Sequence, residues 1–227
     1  YTHLKDRVLF STTLFPDKVP DKLKNLNIWD KLESYEDRYG DTRYKTQASQ
    51  DHYKGSSQTA QTIELALPKE LTPESWQALV LDFAKERFVS RGLVVTVAIH
   101  KDEGNPHAHF QISRRALNKQ GDWSWAKDRG IVSKTALIET RALWAELANQ
   151  ALEREGFSVR IDHRSYLEQG IGFEPTQHEG WFAHKLERLG LSSRIIEENK
   201  AIRAQNQTLA SLEPALILEE LCAKQST

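Results

Sequence analysis

Three histidines, His100, His107 and His109, fall within a ten-residue window, at the end of one apolar run and the start of another. Val94 to Ile99 is apolar and rich in β-branched residues, which predicts a buried strand running into His100. Lys101 to Pro106 carries Asp102, Gly104, Asn105 and Pro106, the residue types of a turn. In the run that follows, side chains alternate faces, so His107 and His109 point the same way and Ala108 the other. Antiparallel pairing of the two runs brings His100 to the same patch. A histidine pair at this spacing is, by itself, more often solvated or hydrogen-bonded; the third histidine turns the pattern into a candidate site for a divalent ion. Imidazole suits transition ions, and with no carboxylate beyond the turn the site would keep coordination positions open, as catalysis requires.

The histidine run leads into a cationic stretch: Arg114, Arg115, Lys119, Lys127 and Arg129, with Trp123 and Trp125 bracketing Ser124. Beside a metal site, such cations would form a phosphate-binding rim, and exposed indoles would stack on unpaired bases. Taken singly, each cation is an ordinary surface charge, and the indoles fit burial under the segment equally well. Bulk composition does not decide the matter, because 227 residues with a formal net charge of −1, 39% hydrophobic and 28% charged, describe an ordinary globular chain. The lone cysteine, Cys222, excludes an intramolecular disulfide and a cysteine zinc site, and it fits a reducing, cytoplasmic setting. No signal peptide and no membrane-spanning run is visible, so membrane insertion is not expected. The chain begins at Tyr1 and contains no methionine, which reads as a fragment or processed piece.

The elements that would hold the histidines follow from periodicity. Val8 to Phe15 could form a short edge strand, and Ile28, Trp29, Leu32, Tyr35, Glu36 and Tyr39 fall at helical spacing behind Asn27 as N-cap. Residues 40–58 are polar and contain Gly40 and Gly55; they read as a mobile loop. Gln61 to Leu67 reads as a strand, and Thr72-Pro73-Glu74-Ser75 opens a helix that Gly92 stops. Ser133 to Glu155 is the longest helix, closed by Gly156, and Phe157 to Ile161 reads as a further strand. Residues 181–223 read as helical, with breaks near Gly190 and Pro214. The resulting order predicts an α/β (α+β) fold of the split βαβ, ferredoxin-like kind. Its sheet would be mostly antiparallel, with helices packed on it.

Several blocks of the sequence resemble the MobA/MobL relaxases, nickases of the two-histidine (HUH) superfamily. They are Ile28-Trp29-Asp30-Lys31-Leu32-Glu33, Ile63 to Leu71, Ile99-His100, Asn105-Pro106-His107-Ala108-His109, Arg160 to Ser165 with Gln169-Gly170-Ile171, and Glu174 to Trp181. The resemblance divides the chain into a relaxase domain over residues 1–180 and a helical extension over 181–227. It implies tyrosine transesterification at one phosphodiester of a transfer origin, with His100, His107 and His109 holding a divalent ion, Mg or Mn before Zn or Ni. Asn105 would steady the histidine turn from behind, and Glu64 would orient a histidine or the nucleophile. Single-stranded and hairpin origin DNA would be the substrate, contacted through Arg114, Arg115, Lys127, Arg129, Trp123 and Trp125. Relaxosome and type IV secretion components would be partners. In the family's order of segments the first strand and the tyrosine helix fall before Tyr1, so Tyr1 is the weaker candidate nucleophile. A DNA-binding remnant without chemistry, a rolling-circle replication initiator and a metal-binding structural protein are the competing readings.

Overall fold

The computed structural model describes residues 7–225 apart from residue 103. Tyr1 lies outside the described residues. Two compact units divide after His163.

The first unit begins with strand β1 (Val8–Leu14), the short helix α1 (Asp21–Lys24), then α2 (Ile28–Arg43) and α3 (Gln47–Ser56). Strand β2 (Ala60–Ala66), helix α4 (Pro73–Arg87), strands β3 (Leu93–Asp102), β4 (Asn105–Leu117) and β5 (Trp123–Lys127), and helix α5 (Lys134–Arg154) follow. The strand order is β1-β3-β4-β2, every pairing is antiparallel, and β5 pairs with β4. Since β2 and β3 both run against β4, they are parallel to each other, joined by α4 and separated by the inserted β4. That is the split βαβ arrangement, and the fold class expected from the sequence is the one observed.

One face of the sheet is the main core. Val95, Val97, Ile99, Ala108, Phe110 and Ile112 pack against Leu79, Val80 and Phe83 of α4 and Trp144, Ala148 and Leu152 of α5. Phe83 makes edge-to-face contacts with Phe88, Phe110 and Trp144 at centroid distances of 5.7, 5.4 and 5.1 Å. Capping fixes where the helices start: Thr72 and Ser133 each accept a hydrogen bond from the third residue on, and Pro73 occupies the first turn, where its missing N–H costs nothing. The opposite face carries Val94, Thr96, Ala98 and His100 on β3. Facing them on β4 are His107, His109, Gln111, Ser113 and Arg115. α2 covers only part of this face. Its buried positions Ile28, Leu32, Glu36 and Gly40 recur every four residues, and Trp29 donates from its indole N–H to Thr96 Oγ1 at 3.0 Å. The histidine end stays uncovered by that helix.

Two expectations for the first unit need correction. Residues 40–43 complete α2 and residues 47–56 form α3, so most of the 40–58 stretch is helical. α2 continues through Gly40 because the glycine is a point of close approach; a Cβ there would lie 2.7 Å from Tyr53 Cδ1 of α3. Phe157 to Ile161 is irregular. The Asn149 side chain accepts from Ile161 N at 2.7 Å and donates to Ile161 O at 2.9 Å, taking up the groups a ladder would use. Phe157 is only part-covered, and Val159 is exposed. The edge position beside β3 is held by β1, the short edge strand expected over Val8 to Phe15.

The second unit holds α6 (Tyr166–Gln169), α7 (Gly180–Arg188) and α8 (Arg194–Gln225). α8 is continuous through Pro214, where a break was expected; the expected break near Gly190 is observed. Two asparagines of α8 hold the extended segment before α7. Asn199 exchanges bonds with the Gln177 N–H and C=O, both at 2.8 Å, and Asn206 does the same with Glu174 at 2.9 and 2.8 Å. Asn199 is fully buried, so these contacts satisfy its amide where water cannot. No helix among the described residues is long and apolar enough to cross a membrane.

Candidate metal centre and its basic flank

The register of β3 and β4 sets His100 directly opposite His107 and Ala98 opposite His109. All three imidazoles therefore rise from one face of two paired strands. Their ring centroids lie 5.2 Å (His100–His107), 4.6 Å (His100–His109) and 4.9 Å (His107–His109) apart. One nitrogen from each falls within 4.8 Å of the others, a spacing that small ring rotations close around a single ion.

His107 is buried, and its Nδ1 lies 2.8 Å from the Asn105 backbone carbonyl. A carbonyl only accepts, so Nδ1 carries the proton and Nε2 is left as the ligand atom. The contact that Asn105 makes with His107 is through its main chain. Burial, reinforced by the neighbouring His109 and His107, pulls the His100 imidazole below its ordinary value and favours the neutral form that a metal needs.

Glu64 stands opposite His109 on β2, with its carboxylate 3.8 Å from His109 Nδ1 and 4.0 Å from His107 Nε2. It is exposed and beside the triad, outside hydrogen-bond reach of either ring. Asp102 is otherwise engaged: Arg7 donates to it from Nε at 2.7 Å and from Nη2, and the hydrogen bond and charge of Arg7 hold its carboxyl below the usual range.

The predicted DNA-contacting residues divide. Arg115 is a correction, because it is only 1% exposed and cannot face a phosphate. Its Nε and Nη2 donate to Glu36 at 2.7 and 3.0 Å, and Nη1 donates to the carbonyls of Ser124 and Trp125. Burial pushes the Glu36 carboxyl up, but hydrogen bonds from Arg115 and Tyr53 and the charges of Arg115 and Lys127 outweigh it, holding it below its ordinary value. Lys127 sits 3.5 Å from Glu36 and donates to Ser57 Oγ and Gln58 O. Arg114 donates to Gln58 Oε1 at 3.0 Å and is part-buried. Trp123 packs on the small cluster of Val19, Leu23, Ile28, Val94 and Leu117. Arg129 is exposed, and so is Trp125, at 59%. The indoles lie on β5 rather than in a loop; Asn118 Oδ1 accepts from Gln120 N and Asp122 N and folds the hairpin back. Sequence reasoning counted Tyr35 and Tyr39 only in the helical spacing of α2 and passed over Arg38 and Arg43; the alternation of these cations with the tyrosines was the available signal.

Residues 1–189 match the MobA/MobL family. The chain belongs to that family. Among its relatives, the conjugal transfer protein TraA of Agrobacterium fabrum is 30% identical over 225 residues, covering 87% of this chain and 19% of TraA. The probable mobilization protein MobA of Bifidobacterium longum is 27% identical, covering 92% of this chain and 41% of its own length. Mobilization protein A of Escherichia coli is 36% identical, covering 57% of this chain and 21% of its own length. The MobA/MobL chain therefore spans about a fifth to two fifths of these relatives. A solved structure from "Molecular Basis of Vancomycin Resistance Transfer in Staphylococcus aureus" superposes with a TM-score of 0.58 at 30% identity, covering 70% of this chain and 77% of that one.

Proposed function

We propose that this MobA/MobL chain is the relaxase domain of a mobilisation protein, acting in the cytoplasm on single-stranded and hairpin DNA at a transfer origin. The convergence of His100, His107 and His109 on the open end of a rigid sheet face carries this reading. The donor set of three neutral nitrogens, with one tautomer fixed by Asn105 and His100 biased to neutrality, suits a divalent transition ion such as Mn, and Mg enters only through the resemblance. When bound, the ion supplies Lewis-acid polarisation of the scissile phosphate and offsets the charge that builds up there. The chain's own residues do the rest. The paired strands would hold the imidazoles to a fixed geometry, Glu64 beside them would orient an attacking hydroxyl or an imidazole turned toward it, and the exposed Arg129 would steady the bound backbone. In the reaction, a tyrosine oxygen bonds to phosphorus, the 3′-oxygen leaves as a hydroxyl, and a 5′-phosphotyrosine forms. Tyr35, Tyr39, Tyr44 and Tyr53 pack with one another and around Arg115, an arrangement that suits structure rather than attack. Conjugation machinery would be the protein partner, as the conjugal transfer and mobilisation names of the relatives suggest.

The test is DNA binding by anisotropy, with and without Mn2+, using single-stranded origin DNA. Mn2+ should tighten binding by the wild type and leave His109→Ala unmoved. Denaturing electrophoresis of the same mixtures should show no covalent adduct, and a stable adduct at any tyrosine of the chain would refute that expectation. Identical behaviour of wild type and His109→Ala refutes the proposal.

A further inference from the structure

Trp125 presents an aromatic surface that folding does not explain. It is 59% exposed although it sits on a paired strand, and its covered edge lies on Tyr39 of α2, ring centroids 4.4 Å apart. The two rings form a ridge shared by two cavities of about 420 and 450 Å³ between α2 and the β4–β5 hairpin. Lys31 and Arg38 line the first; Arg43 and Arg129 line the second, with the Arg43 guanidinium over the Tyr39 ring. Among the described residues, Asp122 is the one acid lining the first cavity, and no acid lines the second. Glu36, buried nearby, is already taken up by Arg115 and Lys127 and does not cancel the outer cations.

The walls are also held rigid. Arg115 donates to the Trp125 carbonyl on one side and to Glu36 of α2 on the other, so one buried guanidinium fixes both halves of the ridge. Such preorganisation saves ordering cost when a flat ligand binds. A π-face bordered by cations fits a nucleobase with a phosphate before and after it. Arg115 shares the histidine face of β4, and the six residues from His109 place it roughly 20 Å along the same strand.

We infer that the Tyr39–Trp125 ridge is a nucleotide subsite, on which one unpaired base stacks while Arg43 and Arg129 take an adjoining phosphate. This rests on the DNA-binding reading above and adds a contact remote from the histidines. The stack supplies affinity through the base and is indifferent to the metal.

Anisotropy with labelled oligothymidine and with an abasic oligonucleotide of equal length tests it. Trp125→Ala should weaken oligothymidine binding about 5- to 150-fold, the range for loss of one base–aromatic stack. It should leave abasic binding and the salt slope unchanged, since no phosphate contact is lost. Trp125→Phe should recover most of the affinity. Equal oligothymidine affinity in wild type and Trp125→Ala overturns the subsite alone, as does an equal loss on both oligonucleotides. Failure of the wild type to bind either one takes down the DNA reading along with it.

Discussion

Replacing Glu36 by alanine removes one half of a buried ion pair and leaves the other half with nowhere to go. Arg115 would lose hydrogen bonds of 2.7 and 3.0 Å and keep the carbonyls of Ser124 and Trp125 and a long bond of 3.4 Å to the Tyr53 hydroxyl. Tyr53 and Ser57 would lose their acceptor, and Lys127 its nearest carboxylate. Two charge-assisted bonds at about 1.5–3 kcal/mol each set the gross scale. Removing one partner of a buried pair costs about 3–5 kcal/mol, because the remaining charge is stranded. We expect a loss in that range at pH 7.5, read by urea unfolding. Tryptophan emission reports it well, since Trp29, Trp76, Trp123, Trp125 and Trp144 all lie in the first unit. The effect must also depend on pH. The folded carboxyl is held below its ordinary value, so the pair stabilises fully above the unfolded value of about 4.3 and fades as pH falls through the folded one. The gap between wild type and variant should therefore narrow below about pH 4. Pairing Glu36→Leu with Arg115→Met should restore stability relative to either single change, since the buried guanidinium leaves with its partner and Lys127 keeps Ser57 and Gln58 as acceptors. A loss under about 1 kcal/mol, or one constant down to acid pH, means that water satisfies Arg115 and the stranded-charge argument is wrong.

Other outcomes follow from the site and its supports. Mn2+ at a hundred times its Kd should stabilise the wild type by about 2.7 kcal/mol in thermal unfolding, and His109→Ala should lose that increment; equal shifts in both would place the ion elsewhere. Asn105→Ala should change Mn2+ affinity by less than about threefold in calorimetry, because its backbone carbonyl holds His107; a loss of about 10- to 100-fold would show that the side chain matters. Gly40→Ala should cost about 1–3 kcal/mol despite alanine's better helix propensity, because the new methyl meets Tyr53; a stabilised variant would show that α3 gives way freely.

The histidine centre was legible early because it depends on period-two alternation and a short turn, both local. Asn105 and Pro106 close the hairpin, and once β3 meets β4 the register leaves His100 facing His107. The N-cap at Asn27 and the helix starts at Thr72 and Ser133 were equally local; Thr72 and Ser133 turn out to be the caps, each one residue ahead of its helix. Gly40 misled because a glycine that breaks a helix and one that admits a neighbouring ring look alike in one dimension. Phe157 to Ile161 misled because a strand-like composition finds no ladder when Asn149, far back on α5, takes its backbone groups.

Arg115 is the sharpest case. Written among other cations it reads as a phosphate contact, and only the packing of α2 across the sheet brings Glu36 to it and closes water out. The Tyr39–Trp125 ridge, too, joins residues 86 positions apart. Local chemistry and spacing in the chain settled which residues could bind a metal and which strands would present them. Tertiary structure decided which charges stay outside, since burial and pairing depend on distant segments meeting, and no window of sequence contains that meeting.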